Sequence, residues 1–152
     1  MYELFPSAAL RRCWPGLSNT MTPDKVNILI VDDTPSKLAA LAAIVSQLGE
    51  NVVEARSGRE ALRHLLHDEF AVVLLDVNMP DLDGFETAAL IRRRHRTAHL
   101  PIIFVTAGDP NDTHIARGYQ LGAVDYIYAP VLPDVLLAKV GVLTDAERDA
   151  IA

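Results

Sequence analysis

Five short apolar runs, separated by stretches with helical spacing, restrict this chain more than any other feature. The runs are Val26–Val31, Val52–Glu54, Ala71–Leu75, Ile102–Val105 and Val124–Ile127. They are short and rich in Val, Ile or Leu, which predicts strands buried on both faces. Pro35 suits a first helical turn, Leu38, Leu41, Ile44, Val45 and Leu48 follow at helical spacing, and Gly49 ends the helix. Ser57 and Glu60 have the spacing of a capping box ahead of Ala61, Leu62, Leu65 and Leu66. A third helix is expected from about Gly84 to Arg94 and a fourth from near Asp109-Pro110 to near Gly122. The last begins around Pro133 and carries Val135, Leu136, Val140 and Leu143. Strand–helix repeats of this length, joined by right-handed crossovers, imply an α/β fold: a doubly wound, five-stranded parallel sheet with helices on both faces.

Residues 1–24 stand apart. Pro6, Pro15, Gly16 and Pro23 interrupt isolated apolar residues with no sustained period, so this segment is read as a flexible N-terminal extension, with Met21 an alternative start. Residues 25–152 form the expected domain. A chain of 152 residues can bury roughly 68–70% of its unfolded surface without disulfides. Half the residues are hydrophobic and 22% are charged, which excludes a disordered chain. A net charge of -6 argues against nucleic acid as a partner. Cys13 has no second cysteine to pair with, and no apolar run is long enough to span a bilayer. The expectation is a cytoplasmic protein that does not insert into membranes.

In open α/β sheets ligands bind at the carboxyl ends of the strands. The residues there are Asp32-Asp33, Asp76 and Thr106. Converging carboxylates repel by roughly 4 kcal/mol per pair at about 4 Å and an effective dielectric of about 20. A hard divalent cation removes that cost, and oxygen-only ligands favour Mg²⁺ over Zn²⁺. Taken singly, each acid is as well explained as a helix cap or a solvated loop residue; the set at three strand ends is not.

The segments Ile28-Leu29-Ile30-Val31-Asp32-Asp33, Leu74-Leu75-Asp76-Val77-Asn78-Met79-Pro80-Asp81-Leu82-Asp83-Gly84 and Phe104-Val105-Thr106-Ala107 resemble the signature of response regulator receiver domains. The resemblance covers about residues 26–143, with 43 residues from Asp33 to Asp76 and 30 more to Thr106. It implies a flavodoxin-like fold and a Mg²⁺-dependent two-component phosphorelay. Asp76 would accept a phosphoryl group from a histidine kinase or histidine phosphotransfer protein. Asp33 would bind Mg²⁺ directly, Asp32 through water or by polarising the site, and Asn78 through its backbone carbonyl. Thr106 would act as the switch hydroxyl and Tyr126 as an aromatic switch. Met79-Pro80 and Gly84 would shape the loop, with Gly84 equally well explained as a turn residue. The implied output is protein contact with a downstream target, and homodimerisation is left open. Such a domain is not an enzyme beyond its own phosphorylation and dephosphorylation.

The pattern breaks at one place. Receivers usually carry Lys before the Pro after the fifth strand, and here Ala129 precedes Pro130. Lys139, ten residues on, is no convincing replacement. Phosphorylation is expected to survive this loss and its coupling to weaken, with Tyr128 partly filling the vacated space. The Ala129 change also supports an alternative, a pseudo-receiver that binds a partner without phosphorylation. An aspartate-nucleophile phosphatase is disfavoured because Asn78 stands where such enzymes place a second Asp. The run Arg92-Arg93-Arg94-His95-Arg96 reads as a solvated helix end, and His64 with His67 lacks a third metal ligand.

Overall fold

The computed structural model of the chain describes residues 25–107, 112–123 and 125–151, so the expectation for residues 1–24 lies outside the described residues. Five strands, β1 (Asn27–Val31), β2 (Asn51–Ala55), β3 (Val72–Asp76), β4 (Ile102–Thr106) and β5 (Asp125–Tyr128), form one sheet in the order β2-β1-β3-β4-β5. All pairings are parallel. Among the described residues five α-helices alternate with them: α1 (Pro35–Val45), α2 (Gly58–His67), α3 (Gly84–Arg93), α4 (Asp112–Gln120) and α5 (Pro133–Ile151). The expected fourth-helix start at Asp109-Pro110 and the strand start at Val124 lie outside the described residues.

Strand periodicity divides the core into two layers. Leu29, Val31, Val73, Leu75, Ile102, Phe104 and Tyr126 point to one face, against Ala61 and Leu65 of α2 and Phe85, Ala88 and Ile91 of α3. Ile28, Ile30, Val72, Leu74, Ile103, Val105 and Ile127 point to the other, against Leu38, Leu41 and Val45 of α1 and Leu136 and Val140 of α5. Residues i and i+2 of a strand share a face, so a run apolar at every position must be covered on both sides. β3 meets this in full, being buried along its length. β2 does not. Its first four residues are exposed or half-buried, contrary to the expectation of a strand buried on both faces, because it is an edge strand covered less completely. Val135 is a second departure: it is exposed, while the neighbouring Leu136 is fully buried.

The helix ends follow from local chemistry. After α1 the chain tightens into a single 3₁₀ turn, Ser46–Leu48, and Gly49 closes it with φ 77°. No atom lies within 4 Å of a Cβ added at Gly49, so only backbone conformation is at stake there. Gly49→Ala is expected to cost about 1 kcal/mol, read from chemical denaturation; an unchanged midpoint would contradict the role given to this residue. At α2 the Ser57 hydroxyl accepts from the Glu60 N–H at 3.0 Å. The Glu60 carboxylate returns to the N–H of Arg56 at 3.0 Å, one residue earlier than a reciprocal box requires. The reciprocal box occurs at α3 instead, where the Glu86 N–H donates to Asp83 at 2.8 Å and the Asp83 N–H donates to Glu86 at 2.9 Å.

The basic run at the end of α3 is only partly solvated. Arg92 donates to the carbonyls of Leu121 at 2.7 Å, Gly122 at 3.0 Å and Thr97 at 3.1 Å, tying α3 to the end of α4. Burial holds its pKa below the usual guanidinium value. His64 sits 3.8 Å from Glu60, its i−4 neighbour.

Candidate functional site

β1 and β3 are adjacent in space but lead to opposite sides of the sheet, which makes the gap beyond their ends the switch point of the fold. Val31 is in register with Leu75, so the next residues, Asp32 and Asp76, leave the sheet side by side. Asp33 follows at once. One carboxylate oxygen from each of Asp32, Asp33 and Asp76 lies within 4.8 Å of the others. Asp32 is 2% exposed and Asp76 4%, whereas Asp33 is half-buried.

Hydrogen bonds orient two of these groups. Asp32 accepts from the Thr34 N–H at 2.9 Å, which fixes the turn into α1. Asp76 accepts from the Asn78 N–H at 3.3 Å. The Asp76 carboxyl is pushed up from 3.8 to about 6, first by burial and then by the charge on Asp32, with a smaller push from Asp33. The Asn78 N–H and the positive charge of Lys37 pull the other way. This cluster fits a hard cation: three oxygen ligands converge, and their mutual repulsion is the strain that bound positive charge would relieve.

The β3–α3 loop is held close to the acceptor strand. The Gly84 N–H donates to the Val77 carbonyl at 2.9 Å. A Cβ at Gly84 would stand 2.3 Å from the Asp76 carbonyl oxygen and 2.8 Å from Val77 Cα. Gly84 is therefore required by close backbone approach. Asp81 adopts φ 69° in the same loop, a region Asp tolerates. Its carboxylate pairs with Arg59 at 2.5 Å.

Asp76 is in register with Val105, so Thr106 stands one step beyond it. The Thr106 hydroxyl is half-buried and donates to the Ala107 carbonyl at 3.2 Å. The Ala129 N–H donates to the Thr106 carbonyl at 2.9 Å, which brings the end of β5 to the same edge. Asp32, Lys37, Leu41, Asp76, Thr106 and Ala129 line one cavity of about 250 Å³. Tyr128 does not line it. Its ring stacks on Tyr126 at 5.9 Å and 7°, on the opposite face of the strand from Ile127, so the space beside Ala129 stays open. Lys139 is an ion-pair partner of Asp125 and is not among the residues lining this cavity.

Tyr126 is buried, with Phe104 at 5.4 Å and Tyr119 at 5.5 Å between ring centroids. Its hydroxyl lies over Gly118, where a Cβ would come within 2.0 Å of the oxygen, and donates to the Ile115 carbonyl at 3.4 Å. Asn78 is exposed at the mouth of the loop. Lys37 was missed from sequence, because nothing in its local pattern separates it from any exposed helical lysine.

The strand order and the clustered acids at the switch point define a flavodoxin-like α/β domain with an acidic carboxyl-edge site. Residues 28–141 match the family described as response regulator receiver domain, and the chain belongs to that family. It is 34% identical over 113 residues to protein PilH of Pseudomonas aeruginosa, covering 74% of this chain and 93% of that protein. It is 39% identical over 114 residues to a probable cyclic di-GMP phosphodiesterase of Vibrio cholerae, covering 74% of this chain but 25% of that protein. Among solved structures it is similar to the chemotaxis protein CheY4 of Vibrio cholerae, with a TM-score of 0.73, 28% identity, and coverage of 78% of this chain and 98% of that one. Among the described residues no helix is long and apolar enough to cross a membrane.

Proposed function

We propose that this receiver domain of a two-component system accepts a phosphoryl group on Asp76 in a Mg²⁺-dependent reaction and signals through protein contacts. The observation that carries this reading is the approach of three carboxylates, two of them buried, to within 4.8 Å at the switch point. The donor is a phosphohistidine of a kinase or of a phosphotransfer protein. An Asp76 carboxylate oxygen attacks phosphorus in line, a P–O bond forms, and the P–N bond breaks with its electron pair leaving on the imidazole nitrogen. Asp32, Asp33, Asp76 and the carbonyl of Asn78 are the groups that would hold Mg²⁺, which supplies positive charge to the phosphoryl oxygens. Burial of Asp76 excludes water from the attacking oxygen, and the Asn78 N–H holds that carboxylate in place. Thr106, one register step away, donates to a phosphoryl oxygen after transfer, and Tyr126 responds as the aromatic neighbour of the moving strand end.

The test is intact-mass analysis after incubation with acetyl phosphate, with Mg²⁺ present or chelated. One phosphoryl group should be added with Mg²⁺ and none under chelation, and peptide mapping should place it on Asp76. Labelling that survives chelation, or that maps to another residue, would refute the proposal.

A further inference from the structure

A phosphoryl group on Asp76 would enter a cavity whose walls contain two buried acids, so the charge it brings needs a counter-charge beyond the cation. The end of β5 cannot provide it, since Ala129 carries only a methyl group there. Lys139 cannot either, because its ammonium is engaged by Asp125. Among the described residues, one cation does line the cavity: Lys37, on the first turn of α1. It forms no ion pair among the described residues, and it is exposed. A lysine ammonium is a compact point charge on a flexible four-carbon stem, suited to an oxygen whose position it need not match in advance.

We propose that Lys37 supplies, from α1, the ammonium that pairs with the phosphoryl oxygens on Asp76, a place that Ala129 leaves without a charge. Two observations meet here: a shared cavity holding Lys37, Asp76, Thr106 and Ala129, and the absence of any other cation from its lining among the described residues. Lys37 stays protonated throughout and transfers no proton. With acetyl phosphate, the Asp76 oxygen–phosphorus bond forms, the phosphorus–oxygen bond to acetate breaks, and acetate leaves with the electron pair. The inference rests on the phosphoacceptor reading of Asp76.

The experiment uses the full chain with two readouts: the rate of Mg²⁺-dependent labelling by acetyl phosphate, and calorimetric affinity of the Mg²⁺-loaded protein for beryllofluoride, which mimics the phosphoryl group without transfer. Lys37→Met keeps the length and apolar stem and removes the charge. It should lower both rate and affinity about tenfold, as expected for loss of a charge-assisted hydrogen bond. Lys37→Arg should keep most of both, and Ala129→Lys added to Lys37→Met should restore them. Lys37→Met values within about twofold of the wild type in both readouts, or an equal loss in Lys37→Arg, would overturn the inference. Failure of the wild type itself to label would instead refute the phosphoacceptor reading, so the two outcomes are distinct.

Discussion

Asp76→Asn is expected to abolish phosphoryl labelling and, in the metal-free protein at neutral pH, to raise stability by about 2 kcal/mol. Both effects come from one buried carboxylate. Its pKa is pushed up from 3.8 to about 6, by burial first and by Asp32 second. At about 1.36 kcal/mol per pKa unit, ionising Asp76 in the folded chain costs roughly 3 kcal/mol more than in the unfolded one. The asparagine amide recovers part of this, because it too must be solvated or bonded in a buried site.

The sign follows from proton counts. Between about 4 and about 6 the folded state binds more protons at Asp76 than the unfolded state, so stability falls as pH rises through that window. The stabilising share of protonated Asp76 is fully present below the unfolded value and is lost once the pH passes about 6. Asp76→Asn should therefore match the wild type most closely at acid pH and exceed it above about 6. Mg²⁺ should narrow the gap at neutral pH by stabilising only the wild-type site. Denaturant melts across pH, with chelator and with Mg²⁺, measure all three. A stability difference independent of pH would show that Asp76 carries no such burden.

Gly84→Val should have the largest effect on the fold of the site. A side chain here meets backbone, the Asp76 carbonyl oxygen at 2.3 Å and Val77 Cα at 2.8 Å, at the end of a central strand, where backbone has less freedom to move aside than a side chain. The loop must move or the strand end must shift. The expected cost is about 3 kcal/mol, at the upper end for overpacking a tight site. A misplacement of Asp76 by about 1 Å would slow phosphoryl transfer on the order of a hundredfold. Thermal melts and the labelling rate check the two halves separately. A variant with the wild-type midpoint and rate would mean that the loop absorbs the side chain elsewhere.

Much of this arrangement was legible before any coordinates. The apolar runs read as strands, and in a parallel sheet the acids following the first and third runs leave it at one edge. That inference needed the parallel order alone. The capping box expected at Ser57 and Glu60 closes only in part, and the full box forms at Asp83 and Glu86, which the sequence reading did not single out. Other features were hidden because they depend on which elements become neighbours. Arg92 looks like a dipole-satisfying cation at a helix end until the turn after α4 brings up the carbonyls of Leu121 and Gly122. β2 reads as an inner strand, yet the sheet order leaves it at an edge.

The sequence by itself determined the elements, their alternation, and the acids at the strand ends, because each is a matter of period and of residues within a few positions of one another. Tertiary structure alone decided that Lys37 and Ala129 face one cavity with Asp76, that Tyr128 stacks on Tyr126 and leaves that cavity open, and that Gly84 has no room for a side chain. These contacts join residues far apart in the chain, and their distances are set by how helices seat on the two faces of a twisted sheet.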